Sequence, residues 1–195
     1  MKQSGSFSAL QSNTLPMNKK SKLLIGFLLA LTSALHAADW KQTLQKELPL
    51  LGHRNWIVIA DSAYPWQTAP GVETLETGKG QIEVTRAVLD ALEKSKHVCP
   101  VIMTDSELPY VSEKNAPGIT AYRDALRKLL AFRKTESLPH EQIIRKLDEA
   151  GKTFHVLLLK TNHTQPYTSV FLQLECGYWS PQAEKELHTA MTCRK

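Results

Sequence analysis

Leu51-Gly52-His53, then Ile57-Val58-Ile59-Ala60-Asp61, then Pro65, is the stretch that decides how this chain is read. The glycine ends a helix, the histidine follows at once, and a short apolar, β-branched run delivers an aspartate before proline stops it. Trp56 to Ala60 has the length and composition of a strand buried on both faces, which is how parallel strands read. In open α/β sheets ligands gather outside the carboxyl ends of the strands. Asp61 is therefore placed to meet a ligand, eight residues from the imidazole of His53 at the other end of the same strand.

Working outward, helical and strand periods alternate. Trp40, Leu44, Leu48 and Leu51 recur at helical spacing after an N-cap at Asp39 and before Gly52. Ser62 to Gly80 carries Pro65, Pro70, Gly71, Gly78 and Gly80 and reads as loop. Val84, Val88, Ala91 and Leu92 mark a second helix, and Val98 to Thr104 a second strand. Pro109, Pro117 and Gly118 punctuate another loop. Tyr122, Ala125, Leu126, Leu129 and Leu130 form an i, i+3, i+4, i+7, i+8 stripe. The next helix runs from about Pro139, capped by Ser137, through Ile143, Ile144, Leu147 and Ala150 to Gly151. Phe154 to Leu159 and Ser169 to Leu174 are the last strands. This order predicts an α/β, three-layer fold with a largely parallel sheet flanked by helices.

The chain is 195 residues long, and its ends carry a different signal. Lys19, Lys20 and Lys22 precede the apolar run Leu23 to Leu31 and the small residues Thr32, Ser33 and Ala34. Residues 1–37 thus read as a secretory signal leaving near Ala37 or Ala38, with Met17 as the start that fits it. The run is short of the ~20 apolar residues that span a bilayer, so no stable membrane anchor is expected after processing. A periplasmic or secreted location follows. Without Lys2, Lys19, Lys20 and Lys22 there remain 20 basic residues against 19 acidic ones. The sequence pI near 9.1 is thus partly a targeting effect and gives no reason to expect nucleic acid as a partner. Residues 38–195 are enough for one domain, with an extension from about residue 179.

Cys99, Cys176 and Cys193 are not a disulfide framework. They allow either one bridge, most readily through Cys193, or two buried thiols and one loose one. There is no Gly-rich phosphate loop, nucleophile elbow, HExxH or paired-cysteine motif, so neither a metal nor a cofactor is expected. Proton transfer by His, Asp and Tyr is what remains. Taken singly, His53 reads as a loop or capping residue, Asp61, Tyr167 and Ser169 as turn residues, and His140 as a solvated first-turn residue. Asn162-His163-Thr164 matches a glycosylation sequon, a triplet that also occurs by chance.

The order of these motifs resembles the D-ribose pyranase / L-fucose mutarotase family. Its members carry a helix ending Leu-Gly-His, a strand Ile-Val-Ile-Ala-Asp, a Pro a few residues on, and a late Tyr-x-Asn entering the last strand. Here these are Leu51-Gly52-His53, Ile57 to Asp61, Pro65, and Tyr167-Thr168-Ser169. Val72 to Leu92 resembles the family's second segment. His140-Glu141-Gln142 is similar to the ribose branch, and Pro100-Val101-Ile102-Met103 to the fucose branch. The resemblance covers roughly residues 40 to 178. It implies a cofactor-free isomerase, a sugar mutarotase or pyranase, working by general acid–base catalysis on a monosaccharide such as ribose or fucose. It implies His53 as proton donor, with Asp61 and Tyr167 completing the catalytic set. Asp61, His140, Tyr167 and Ser169 would bind sugar, and Trp66 would offer the ring an apolar face. It also implies a symmetric homo-oligomer with sites near subunit contacts. Two departures stand out: Ser169 replaces the amide, and the chain carries an export signal and extends past Gly177. They favour the alternative of a non-catalytic periplasmic monosaccharide-binding protein on the same fold.

Overall fold

The computed structural model describes residues 40–192. The signal segment, Met17, the Asp39 cap and Cys193 lie outside them. Among the described residues no helix is long and apolar enough to cross a membrane.

Residues 40–47 are helical (α1) and bury Trp40 and Leu44, one turn apart, on the same face. A 3-10 turn, Leu48–Leu50, holds Pro49 and hands over to extended Leu51. Gly52 N–H donates to the Asn55 side chain at 2.7 Å. Arg54 adopts a left-handed φ of 74° and donates its N–H to the Leu174 carbonyl. This corner launches β1, Trp56–Ala60, whose five residues are all buried.

The other strands are β2 (Val72–Glu76), β3 (Val98–Asp105), β4 (Thr135–Leu138), β5 (Val156–Lys160) and β6 (Val170–Cys176). They form one six-stranded sheet in the order β2-β5-β1-β6-β3-β4. β1 pairs parallel with β5, β5 with β2, and β3 with β4, while β6 runs antiparallel to both β1 and β3. Five strands therefore share one direction and β6 opposes them. A parallel return needs a crossover of about a dozen residues or more. Only residues 161–169 join β5 to β6, and no helix lies among them.

Successive strand residues point to opposite faces, and both faces are covered. Ile57, Ile59, Leu157, Leu159, Leu172 and Leu174 pack beneath α1, α2 (Gln81–Glu93) and α3 (Ile119–Leu130). Val58, Ala60, Val156, Leu158 and Phe171 pack beneath α4 (His140–Gly151) through Ile143 and Leu147. Each such side chain contributes about 1.5–3 kcal/mol on burial. The three expected layers are present, and double coverage explains the unbroken apolar runs.

Three details differ from the sequence expectations. The stretch read as loop between Ser62 and Gly80 contains β2, an edge strand that exposes part of every residue and so lacks an apolar run. Ser137 does not cap α4; it lies inside β4, and Pro139 occupies the cap position without a side-chain bond. Cys99 is exposed and Cys176 half-buried, both free, so they are not the two buried thiols considered above. Gly71 is required by contact: a Cβ there would meet the Gly151 and Phe154 carbonyl oxygens at 2.5 Å. That close approach seats the start of β2 against the end of α4. Beyond the sheet, α5 (Pro181–Thr192) buries no residue.

Candidate functional site

The carboxyl ends of β1 and β3 and the entry to β6 meet at one edge of the sheet. Because β6 is antiparallel, its first residue Val170 lies opposite Ile59. Ser169 therefore arrives beside Asp61. Its hydroxyl donates to Asp61 Oδ2 at 3.1 Å, and Ala63 N–H donates to Oδ1 at 2.9 Å. Both carboxylate oxygens are thus held before any ligand enters. Beneath them runs a buried polar braid. Gln81 donates to the carbonyls of Ile59 and Thr168, the Thr161 hydroxyl lies 2.6 Å from the Gln81 side-chain oxygen, and the Tyr122 hydroxyl donates to Thr168 O. Such a network fixes the backbone that carries Asp61, Thr168 and Ser169.

Tyr167 holds a left-handed φ of 58° just before that strand and is partly exposed. Its ring makes a T-shaped contact with the His140 imidazole, centroids 5.7 Å apart and planes at 84°. His140 is the first residue of α4, directly after β4, and its N–H donates to the Glu107 carboxylate at 3.0 and 3.1 Å. A carboxylate at a helix N-terminus satisfies orphan amides and favours the dipole. Glu107 thus fills the role expected of Ser137.

Sequence reasoning missed Asp105, the last residue of β3. It repeats the signature of Asp61, an aspartate ending a buried apolar run. Its Oδ1 lies 3.1 Å from His140 Nδ1, and its side chain is 0% exposed. Burial pushes its carboxyl up to about 6, opposed by His140 and reinforced by Glu107 and Asp61. Tyr64 is also buried nearby and its phenol is raised, mainly by burial and then by Asp148, Asp105 and Asp61. His163, against the Tyr122 ring at 4.7 Å, is pushed down by burial. It lines a polar cavity of about 350 Å³ with Asn115, Pro117, Asn162 and Gln165.

The edge thus gathers Asp61, His140, Tyr167 and Ser169. It does not gather His53. His53 lies before β1, where Nδ1 meets Glu175 Oε2 at 2.6 Å, and both side chains are substantially exposed. The five residues of β1 put about 17 Å of strand between it and Asp61. Trp66 is 84% exposed. The amino end holds a second grouping that no sequence spacing reveals. Glu47, Glu73 and His155 bring their ligand-type atoms within 4.8 Å of one another. They could hold a metal ion, and His155 Nε2 lies between the two carboxylates, 3.4 Å from Glu47 and 3.9 Å from Glu73. Burial and the charge of Glu47 raise the Glu73 carboxyl.

A three-layer α/β fold with a cluster of polar side chains at the carboxyl edge of a mostly parallel sheet is the class that these features define. Within it, the chain belongs to the RbsD / FucU transport protein family, whose sequence pattern matches residues 40–176. Among solved structures it is similar to Bacillus subtilis RbsD complexed with D-ribose, at 21% identity and a TM-score of 0.48, over 68% of this chain and 91% of that one. It is similar to the fucose mutarotase in complex with L-fucose from Streptococcus pneumoniae, at 20% identity and a TM-score of 0.46, over 68% and 91%. FucU from Bifidobacterium longum gives 19%, 0.45, 69% and 94%. No curated protein matches the chain.

Proposed function

We propose that this protein interconverts the ring forms or anomers of a monosaccharide by general acid–base catalysis, without a cofactor. The observation that carries this reading is the convergence of Asp61, His140, Tyr167 and Ser169 on one accessible edge of the sheet. In ring opening the anomeric hydroxyl loses its proton, the bond from the anomeric carbon to the ring oxygen breaks, and the ring oxygen gains a proton as the carbonyl forms. Reclosure on the other face, or from another hydroxyl, reverses these transfers. Asp61 would accept hydrogen bonds from sugar hydroxyls, and Tyr167 would donate one or relay a proton. His53 is the proton donor. Since it sits at the opposite end of its own β1, a second copy of the chain would present its amino end to this edge, in a homo-oligomer. Acid–base groups of this kind are worth about 10² to 10⁴ in rate, enough for a reaction that already proceeds in water. A periplasmic or secreted setting belongs to the same reading.

One observation favours a second reading, a monosaccharide-binding protein without turnover. Both oxygens of Asp61 are already engaged, one by the Ser169 hydroxyl. Magnetisation-exchange NMR with ribose, fucose, galactose and glucose, on the protein and on His53→Ala, decides between them. Faster exchange for one sugar, lost in the variant, is the expected result. Line broadening without faster exchange replaces turnover with binding, and neither effect rejects both readings.

A further inference from the structure

A carboxylate withdrawn from water is stable only where its charge is answered. Asp105 is withdrawn completely, its side chain 0% exposed, and its Oδ2 has no hydrogen-bond partner among the described residues. Its one side-chain partner is His140 Nδ1, at 3.1 Å from Oδ1. His140 is fixed a second time through its backbone, whose N–H donates to the Glu107 carboxylate, and a third time by a T-shaped contact with the Tyr167 ring. Its side chain is 31% exposed, and Nε2 has no partner among the described residues. The imidazole is therefore anchored by one nitrogen and open at the other, on the edge that carries Asp61 and Ser169.

In a neutral imidazole one ring nitrogen carries the proton and the other a lone pair, and the partner of the first decides which is which. We infer that Asp105 is a positioning residue for the ligand. By accepting a hydrogen bond from the Nδ1–H of His140 it leaves a lone pair on Nε2, so the edge offers a sugar hydroxyl an acceptor. This rests on the proposed sugar site for its use, although the tautomer itself does not depend on any sugar.

The arrangement reverses with one proton. When Asp105 is protonated its hydroxyl donates to Nδ1, and a neutral His140 must then carry its proton on Nε2. The acceptor becomes a donor, and a hydroxyl that was held as a donor must turn round. The groups facing Asp105 are His140 from α4, Glu107 from the turn after β3, Asp61 from the end of β1, and the phenols of Tyr64 and Tyr122. Glu107 and Asp61 push its carboxyl up while His140 pulls it down, the balance with burial standing at about 6. Above that pH Asp105 is ionised, and wherever His140 is neutral the acceptor form prevails.

The test is long-range ¹H–¹⁵N NMR of the imidazoles in the full-length, ¹⁵N-labelled protein at pH 8. The chain has seven histidines, and His140→Gln assigns the one that matters. The expected wild-type pattern is Nδ1–H with a bare Nε2. Asp105→Asn, close to isosteric, is expected to move the proton to Nε2 or to mix the tautomers. On the sugar that responds, that variant is expected to raise KM about 10-fold, the loss of one ligand hydrogen bond, with a smaller change in turnover. Asp105→Ala, checked by circular dichroism, serves if the amide variant does not fold. An Nε2–H tautomer in the wild type, or an Nδ1–H tautomer that persists without Asp105, overturns the inference. A wild-type Nδ1–H tautomer that is lost with Asp105, in a protein that accelerates no sugar, supports the inference and rejects the catalytic reading.

Discussion

The two ends of the sheet use the same residue types in opposite ways. At the carboxyl end, Asp105 is withdrawn from water and Asp61 accepts one hydrogen bond on each oxygen, from Ser169 and from a backbone amide. At the amino end, His53 and Glu175 meet with about half and a third of their side chains exposed. Glu47, Glu73 and His155 form a second, half-buried grouping there. Desolvation is what separates the two. Asp105 is held in fixed geometry and its carboxyl is pushed up by burial, whereas His53 and Glu175 are solvated, screened and free to engage something else. An imidazole on an open carboxylate is fit for meeting another molecule. An imidazole on a buried carboxylate is fit for holding a ligand in place.

The sharpest way to break that contrast is to ask whether the two ends work together. His53→Ala is expected to remove about 10² to 10⁴ of the exchange rate while changing unfolding free energy by less than about 1 kcal/mol, read by NMR and urea unfolding. Co-refolding it with Asp61→Asn is expected to recover part of the rate, because an amino end from one copy then serves a carboxyl end of another. No recovery would separate the two ends functionally.

The next effect is on pH. Asp105 ionises near 3.8 when unfolded and at about 6 in the fold. Its contribution is thus fully present below pH 4 and lost as pH rises through 6. At about 1.4 kcal/mol for each pH unit between those two values, it costs on the order of 3 kcal/mol at neutral pH. Urea unfolding at pH 4 and pH 8 is expected to show a larger fall for the wild type than for Asp105→Asn.

Smaller still is Ser169→Ala, which takes the hydroxyl from Asp61 and is expected to cost about 1.5–3 kcal/mol, as for a hydrogen bond to a charged group. Thermal unfolding measures it. At the amino end Glu175→Gln is expected to cost at most about 1 kcal/mol, and less at high salt. A cost there equal to that of Ser169→Ala would erase the distinction between the ends.

Much of this was legible in the sequence for one physical reason, burial on both faces. β1, most of β5 and β6, and the inner part of β3 are central and largely apolar, and so they read as strands. β2 and β4 are edges. Val72-Glu73-Thr74-Leu75-Glu76 and Thr135-Glu136-Ser137-Leu138 half-face water, and their mixed composition reads as loop and as helix cap. The site divides similarly. Asp61, Tyr167 and Ser169 are legible because they adjoin buried strands, and His140 because it opens a strongly periodic helix. Asp105 carries the same signature as Asp61, but its meaning depends on His140, 35 residues away, brought beside it by the pairing of β3 with β4. The grouping of Glu47, Glu73 and His155 joins a helix end to two strand starts and leaves no trace in spacing. That His53 would sit far from Asp61 was implicit in the strand between them.

The reversed strand has a consequence for the order of assembly. Before β6 is in place the sheet is two unconnected pieces, β2-β5-β1 and β3-β4. The last-synthesised strand of the sheet must enter between β1 and β3, pairing with residues more than 60 positions upstream on either side. Such long-range closure is slow, because chain entropy is lost before contacts repay it. Tyr167 and Ser169 travel at the leading end of that strand. The strand that joins the two halves of the sheet therefore also delivers the residues that finish the site, and a chain that stops short of Tyr167 lacks both.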